Sequence, residues 1–191
     1  MNKLSIIFLV FLPFLSQGQE EIEDRWFSTI ELDLVIPYEG RYDYGFENKG
    51  QTVDLKTKFS PGALYSFNYI LSNKFSLGAV TGTQWHFNPD FQMVKLGGVV
   101  RYHFVDVDNV YIYLQNLANF SLNKDRFKNG NNFRFGLGFP IWKNNGSSII
   151  SNLFFEQNYL NLKGSESLLF QVEDPGNIYF KSFGISLGYK F

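Results

Sequence analysis

Six charged residues stand inside stretches that otherwise alternate apolar and small polar side chains: Glu31, Asp33, Lys95, Arg101, Arg134 and Glu156. An unpaired buried charge costs several kcal/mol, so residues of this kind inside a folded wall are expected to meet as ion pairs and hydrogen bonds. The same groups could instead line a narrow conducting path. Two histidines, His86 and His103, suggest acid–base chemistry, of the kind a lipid A-modifying enzyme would need. That chemistry requires base and nucleophile within about 3 Å. The two histidines fall at opposite ends of neighbouring segments, about 30 Å apart at a strand rise of about 3.3 Å per residue. His86 is followed by Phe87-Asn88, without a His-x-Ser sequence and with no serine evident beside it. Asp106 and Asp108 could suggest a cation, but one acidic turn falls short of the roughly 6 to 8 oxygens that calcium takes, and Asp and Asn are ordinary turn formers. The expectation is a protein without catalytic residues, metal or cofactor. The apolar run Ser167-Leu168-Leu169-Phe170 is expected either to fold over a mouth or to contact a partner protein.

The elements that position these groups follow from composition and period. The 191 residues carry 17 Lys+Arg against 18 Asp+Glu, which leaves no electrostatic footprint for nucleic acid. Aromatics are 19% of the chain, with 22 Phe and 11 Tyr, and charged residues only 18%. The absence of cysteine removes disulfides, thiolate metal sites and a lipid anchor on cysteine. Residues 1–18 read as a cleaved signal peptide, with Lys3, the apolar run Leu4 to Leu15 and the small-x-small site Ser16-Gln17-Gly18. Residues 19–191 then form a single domain.

No later apolar run is long enough for a membrane helix, and the period is two from Trp26 to Phe191. Eight strands of about 10 to 14 residues are predicted, near Trp26–Ile36, Gly62–Leu71, Phe75–Phe87, Met93–Phe104, Val110–Ser121, Asn132–Ile141, Ser148–Leu160 and Tyr179–Phe191. The fifth is ambiguous, because both its faces mix apolar and polar groups. A long loop is expected over Pro37–Ser60 and others over Leu122–Asn131 and Asn161–Asn177, with tight turns at Ser72-Asn73-Lys74, Asp106–Asn109 and Lys143–Gly146 and a short link at Asn88-Pro89-Asp90. Strands of this length match the roughly 9 to 11 residues that cross a bilayer at a tilt.

One face of each strand is crowded with Phe, Tyr, Leu and Ile, and the other carries Gly, Ser, Asn and the six charges. Gly78, Gly82, Gly97, Gly136, Gly138, Gly184 and Gly188 suit a narrow barrel interior rather than a solvated exterior. Aromatics near strand ends, among them Trp26, Tyr38, Trp85, Tyr102 and Trp142, suit the two interfacial girdles. The predicted fold is all-β, a closed eight-stranded antiparallel up-and-down transmembrane β-barrel. The other arrangement, a lipocalin-like barrel, turns the apolar face inward.

The pattern Phe183-x-Ile185-x-Leu187-x-Tyr189-x-Phe191 resembles the C-terminal strand signal that the barrel assembly machinery reads. The whole mature chain resembles the small OmpA/OmpX-like outer-membrane barrels of Bacteroidota style. That resemblance implies insertion by the assembly machinery and partners among outer-membrane lipid and lipopolysaccharide. Alternating loop lengths place both termini in the periplasm. The function expected is a non-enzymatic structural or interaction protein of the bacterial outer membrane, either free-standing or an accessory subunit of a larger complex.

Overall fold

In the computed structural model the described residues are 25–46, 49–123, 126–144, 146–170 and 173–191. The expected signal peptide, residues 1–18, lies outside them, as do Asn145 of one turn and residues 171–172 of one loop. The described secondary structure is all strand: β1 (Trp26–Phe46), β2 (Lys49–Asp54), β3 (Ser60–Ser72), β4 (Phe75–Phe87), β5 (Asp90–His103), β6 (Tyr111–Ser121), β7 (Asn129–Asn144), β8 (Ser147–Asn161) and β9 (Asp174–Lys190). Neighbours pair antiparallel in the order β2-β1-β3-β4-β5-β6-β7-β8-β9, and β1 also pairs with β9. Eight strands therefore close into a cylinder, and β2 stands outside it as a hairpin partner of β1 alone.

Following paired residues round the wall measures the stagger. Thr29 leads through Ser66, Val80, Gly97 and Leu117 to Asn132, Asn158 and Phe180, and the last pairs with Gly40. One circuit returns to β1 eleven residues further on (40 − 29 = 11), so the strands tilt strongly, as closure of a barrel requires. Trp26 and Lys190 mark one end of the cylinder, here called the terminal end, where the three tight turns lie. The other is the loop end.

In the body of the barrel the expected apolar face points outward. Ile30, Leu32, Leu34, Leu77, Leu96, Leu114, Phe135, Leu153, Ile185 and Leu187 are all exposed. Between them Glu31, Asp33, Ser66, Gln84, Lys95, Gln115 and Glu156 are buried. A continuous apolar exterior around a polar interior inverts the arrangement of a water-soluble barrel and requires an apolar solvent. The lipocalin-like arrangement is overturned. β6 loses its ambiguity: Ile112, Leu114 and Phe120 face out, while Tyr111, Tyr113 and Leu117 fill the interior.

One expectation is corrected at the first connection. Pro37–Ser60 is not a loop, because β1 runs 21 residues to Phe46 and turns back as β2, with Tyr42 opposite Val53 and Tyr44 opposite Gln51. The alternation persists there with its sign reversed. A register shift between Pro37 and Glu39 exchanges the faces, after which Gly40 and Tyr42 point inward and Arg41 outward. Above the apolar belt the outer face meets water, so charges outside and rings inside are the stable choice. β7 and β9 also begin earlier than their apolar residues suggested, at Asn129 and Asp174.

Bulky interior groups lie on cross-strand glycines. Tyr113 sits opposite Gly136, Tyr111 opposite Gly138, and Phe154 opposite both Gly136 and Gly184. A Cβ at Gly184 would stand 2.2 Å from the Phe154 ring. Gly184→Val is expected to destabilise the barrel by about 1–3 kcal/mol through overpacking, read as a lower unfolding midpoint in urea with the purified protein in detergent.

Candidate functional site

The interior has three layers, and the middle one gathers every charged residue singled out in the sequence. Arg134, fully buried, reaches Asp33 at 2.8 Å and Glu156 at 2.6 Å through Nη2, donates to Glu156 from Nε at 3.0 Å, and lies 3.8 Å above the Phe154 ring. Lys95 Nζ stands 3.4 Å from the same Glu156 carboxylate. Arg101 Nη2 lies 3.7 Å from Glu31, donates to Ser66 at 3.2 Å, and its other terminal nitrogen donates to Asn68. Three acids face three cations, so the enclosed formal charge is zero (3 − 3).

Neutral groups complete the layer. Asn152 donates to Glu31 at 3.0 Å and to Ser186 at 2.7 Å and accepts from the Tyr111 hydroxyl at 2.8 Å. Asn158 donates to Glu156 at 2.6 Å and accepts from Asn119 and Asn132. These amides read in the sequence only as polar members of strands. Their place in the network follows from the register, which brings β1, β6 and β8 across one narrow lumen.

The histidines remain apart, yet each has a serine, His86 included, although none stands near it in the sequence. His86 Nδ1 lies 2.6 Å from Ser60 Oγ, and His103 Nε2 lies 3.1 Å from Ser76 Oγ. The partners are 26 and 27 residues away in sequence, brought together by the β3–β4 and β4–β5 pairings. A short Ser–His contact is half of a nucleophilic pair. Here His86 stacks on Phe180 at 4.8 Å between ring centres, and His86 and Ser60 are 1% and 0% exposed, which leaves no surface for a substrate carbonyl.

At the terminal end the lumen is closed from below by the turn between β5 and β6. Lys190 Nζ donates to Asp108 at 2.5 Å and to the Val107 carbonyl at 3.1 Å. Asp106 accepts from the Asp108 backbone N–H at 2.9 Å, so both carboxylates have turn-building roles. Among the described residues no group of three or more His, Asp or Glu is placed to hold a metal ion.

At the loop end the lumen is apolar. Tyr42, Phe91, Met93, Phe127, Leu160, Leu162, Ile178 and Phe180 form one buried cluster, with Tyr44, Val53, Leu55 and Leu168 packed against it. Over it Glu173 is buried, accepting from the Tyr42 hydroxyl at 2.9 Å and from the backbone N–H groups of Leu169 at 3.1 Å and Phe170 at 3.2 Å. Burial first, and then the bond to Glu173, push the Tyr42 phenol well above its ordinary pKa, so the hydroxyl stays a donor. The apolar run at 168–170 folds over the mouth in part and divides there. Leu168 turns into the cluster, while Leu169 and Phe170 are 42% and 56% exposed. Phe170 stands 6.5 Å from the Tyr44 ring and 6.2 Å from that of Phe46, making an aromatic tip beyond the mouth.

Phe183, Ile185, Leu187, Tyr189 and Phe191 all lie exposed on the outer wall. Tyr189 stacks with Phe191 at 5.8 Å, and Phe183 with Tyr38 at 5.0 Å. They form an apolar row on the strand that closes the cylinder.

Among solved structures the chain is similar to the outer membrane protein OprG from Pseudomonas aeruginosa, with a TM-score of 0.59 and 12% identity over 87% of this chain and 96% of that one. It is also similar to the outer membrane protein AlkL in lipid bilayers, with a TM-score of 0.54 and 13% identity over 87% of this chain and 89% of that one. At such identities the likeness is one of fold, that of a closed eight-stranded antiparallel barrel. No protein-family model and no curated protein sequence matches the chain.

Removing Arg134 strands two buried carboxylates at once. Arg134→Met is expected to lower the unfolding free energy by about 3–5 kcal/mol, the cost of breaking a buried pair, checked by equilibrium unfolding in detergent. An unchanged midpoint would show that the pairing contributes nothing to stability.

Proposed function

We propose that the protein resides in the bacterial outer membrane as a non-enzymatic barrel whose body is a filled anchor and whose loop end is a protein-binding platform. The observation that carries this reading is the exposed pair Leu169 and Phe170, whose backbone N–H groups the buried Glu173 carboxylate holds and whose Phe170 ring leans on those of Tyr44 and Phe46. Loops that served only to close the mouth would turn such side chains inward, as Leu168 does. Ordered apolar groups projecting into water gain most when a partner covers them.

The filled lumen supports the same reading. Charge-paired residues occupy the middle layer and packed rings the loop end, so neither a passage nor an accessible nucleophile is built into the body. In this placement the outer wall is surrounded by lipid and, on the outer leaflet, lipopolysaccharide. Both chain ends lie in the periplasm, the loop end faces outside the cell, and the outward row from Phe183 to Phe191 is what the barrel assembly machinery engages. The platform suits an accessory subunit of a larger outer-membrane complex.

Two measurements test the reading. An epitope inserted at Gly164, which has a left-handed φ of 78° in the loop between β8 and β9, is expected to be reached by antibody on intact cells; labelling only after lysis would overturn the orientation. Native protein solubilised in mild detergent is expected to co-purify with a stoichiometric partner that is lost, with the barrel still folded, in the Leu169→Ser, Phe170→Ser double variant. Recovery of the native protein as a lone species would overturn the platform.

A further inference from the structure

The outer wall is uneven. On β1 and β9 its mid-height residues are large, as with Leu32, Leu34, Ile185 and Leu187, whereas β4 to β6 set Ala79, Gly98 and Ala118 between Leu77, Leu96 and Leu114. Among these small residues stands one amide, Asn116 on β6, exposed and without a side-chain hydrogen bond to any described residue.

Its depth follows from the register. The paired row that starts at Ser28 on β1 passes Gly98 and Asn116 and ends at Lys181 on β9, opposite Glu39 back on β1. Asn116 is the fifth of its nine members, midway between the terminal and loop ends. At that height acyl chains surround the wall and offer neither donor nor acceptor, so an unpaired carboxamide is costly there. Other outward amides, such as Gln157 and Asn131, belong to the loop-end half, where headgroups and water can serve them.

The site has shape as well as polarity. Gly98 pairs directly with Asn116, and the wall there is hollowed into a shallow depression of about 470 Å³, bordered by Leu77, Val100, Leu114 and Phe133. A carboxamide carries both donors and an acceptor, so it complements another of its own kind. A second copy related by a two-fold axis along the bilayer normal brings its Asn116 to the same depth by symmetry. The missing side chain at Gly98 lets the two walls approach, as small residues do between membrane segments. No charged side chain lies on this patch to oppose the approach.

We propose that the β4–β6 wall is a homodimer interface inside the membrane, closed by reciprocal hydrogen bonds between the two Asn116 carboxamides. This goes beyond the loop-end platform and is independent of it. The native chain has no cysteine, so single cysteines report without background. Leu114→Cys and Ala118→Cys, which leave Asn116 in place, each in the full chain reconstituted in phospholipid vesicles and treated with a short bis-maleimide, are expected to give a species of twice the mass. Leu32→Cys, on the opposite wall, is expected to give at least about tenfold less. Adding Asn116→Leu to Ala118→Cys is expected to reduce the doubled species about tenfold, while adding Asn116→Gln retains it. Folding of each variant is read from its shifted mobility on unheated gels, and Ala118→Cys carries the test if Leu114→Cys misfolds. Monomer only at both β6 positions, equal cross-linking through Leu32→Cys, or indifference to Asn116→Leu would overturn the proposal. So would linkage in cell membranes solely to a protein of different mass.

Discussion

A sheet closed on itself in an apolar solvent has one place for polar side chains, the lumen, and the lumen of eight strands is narrow. The rest of the structure follows from this confinement. Charges placed there must neutralise one another at contact distance, which is what Arg134 does between Asp33 and Glu156, and Arg101 beside Glu31. Room for bulky interior groups comes from positions without side chains on the paired strands. The rings of Tyr111, Tyr113 and Phe154 occupy such vacancies over Gly138, Gly136 and Gly184.

The lumen changes character along its length because the surroundings of the wall change. Where the outside is apolar, the inside is polar. Beyond the belt the outside is wet, and the inside becomes the apolar cluster around Tyr42 and Phe180. On β1 the exchange is made by the irregularity between Pro37 and Glu39, which shifts the pleat and so reassigns every later side chain. Glu39 marks the new regime outside, accepting from Lys181 at 2.9 Å and pairing with Arg41 at 2.9 Å.

The body of the barrel was legible in the sequence because one rule, apolar out and small or polar in, holds over most of seven strands. The six charged residues could be singled out for the same reason: each interrupts a strand on its glycine- and serine-bearing face. Past Ile36 that rule reverses, so Glu39, Arg41 and Asp43 read as loop charges although they continue β1 and alternate with Gly40, Tyr42 and Tyr44. β6 was ambiguous for a related reason. Its interior residues include Tyr111, Tyr113 and Leu117, as apolar as the outward Ile112 and Leu114, so hydrophobicity alone does not separate the faces. The Ser60–His86 and Tyr42–Glu173 contacts join residues 26 and 131 positions apart, and only the paired strands reveal them.

The seam of the cylinder joins the first strand to the last. β1 pairs with β9 from Thr29–Lys190 to Gly45–Asp174, and Ser28 exchanges backbone hydrogen bonds with Phe191 at 2.8 and 3.0 Å. Any shorter stretch of the chain leaves two bare backbone margins, which lipid cannot satisfy and water can. Insertion and closure are therefore coupled. A partly delivered polypeptide has no stable halfway house in the bilayer and must be chaperoned at its margins until the final strand arrives.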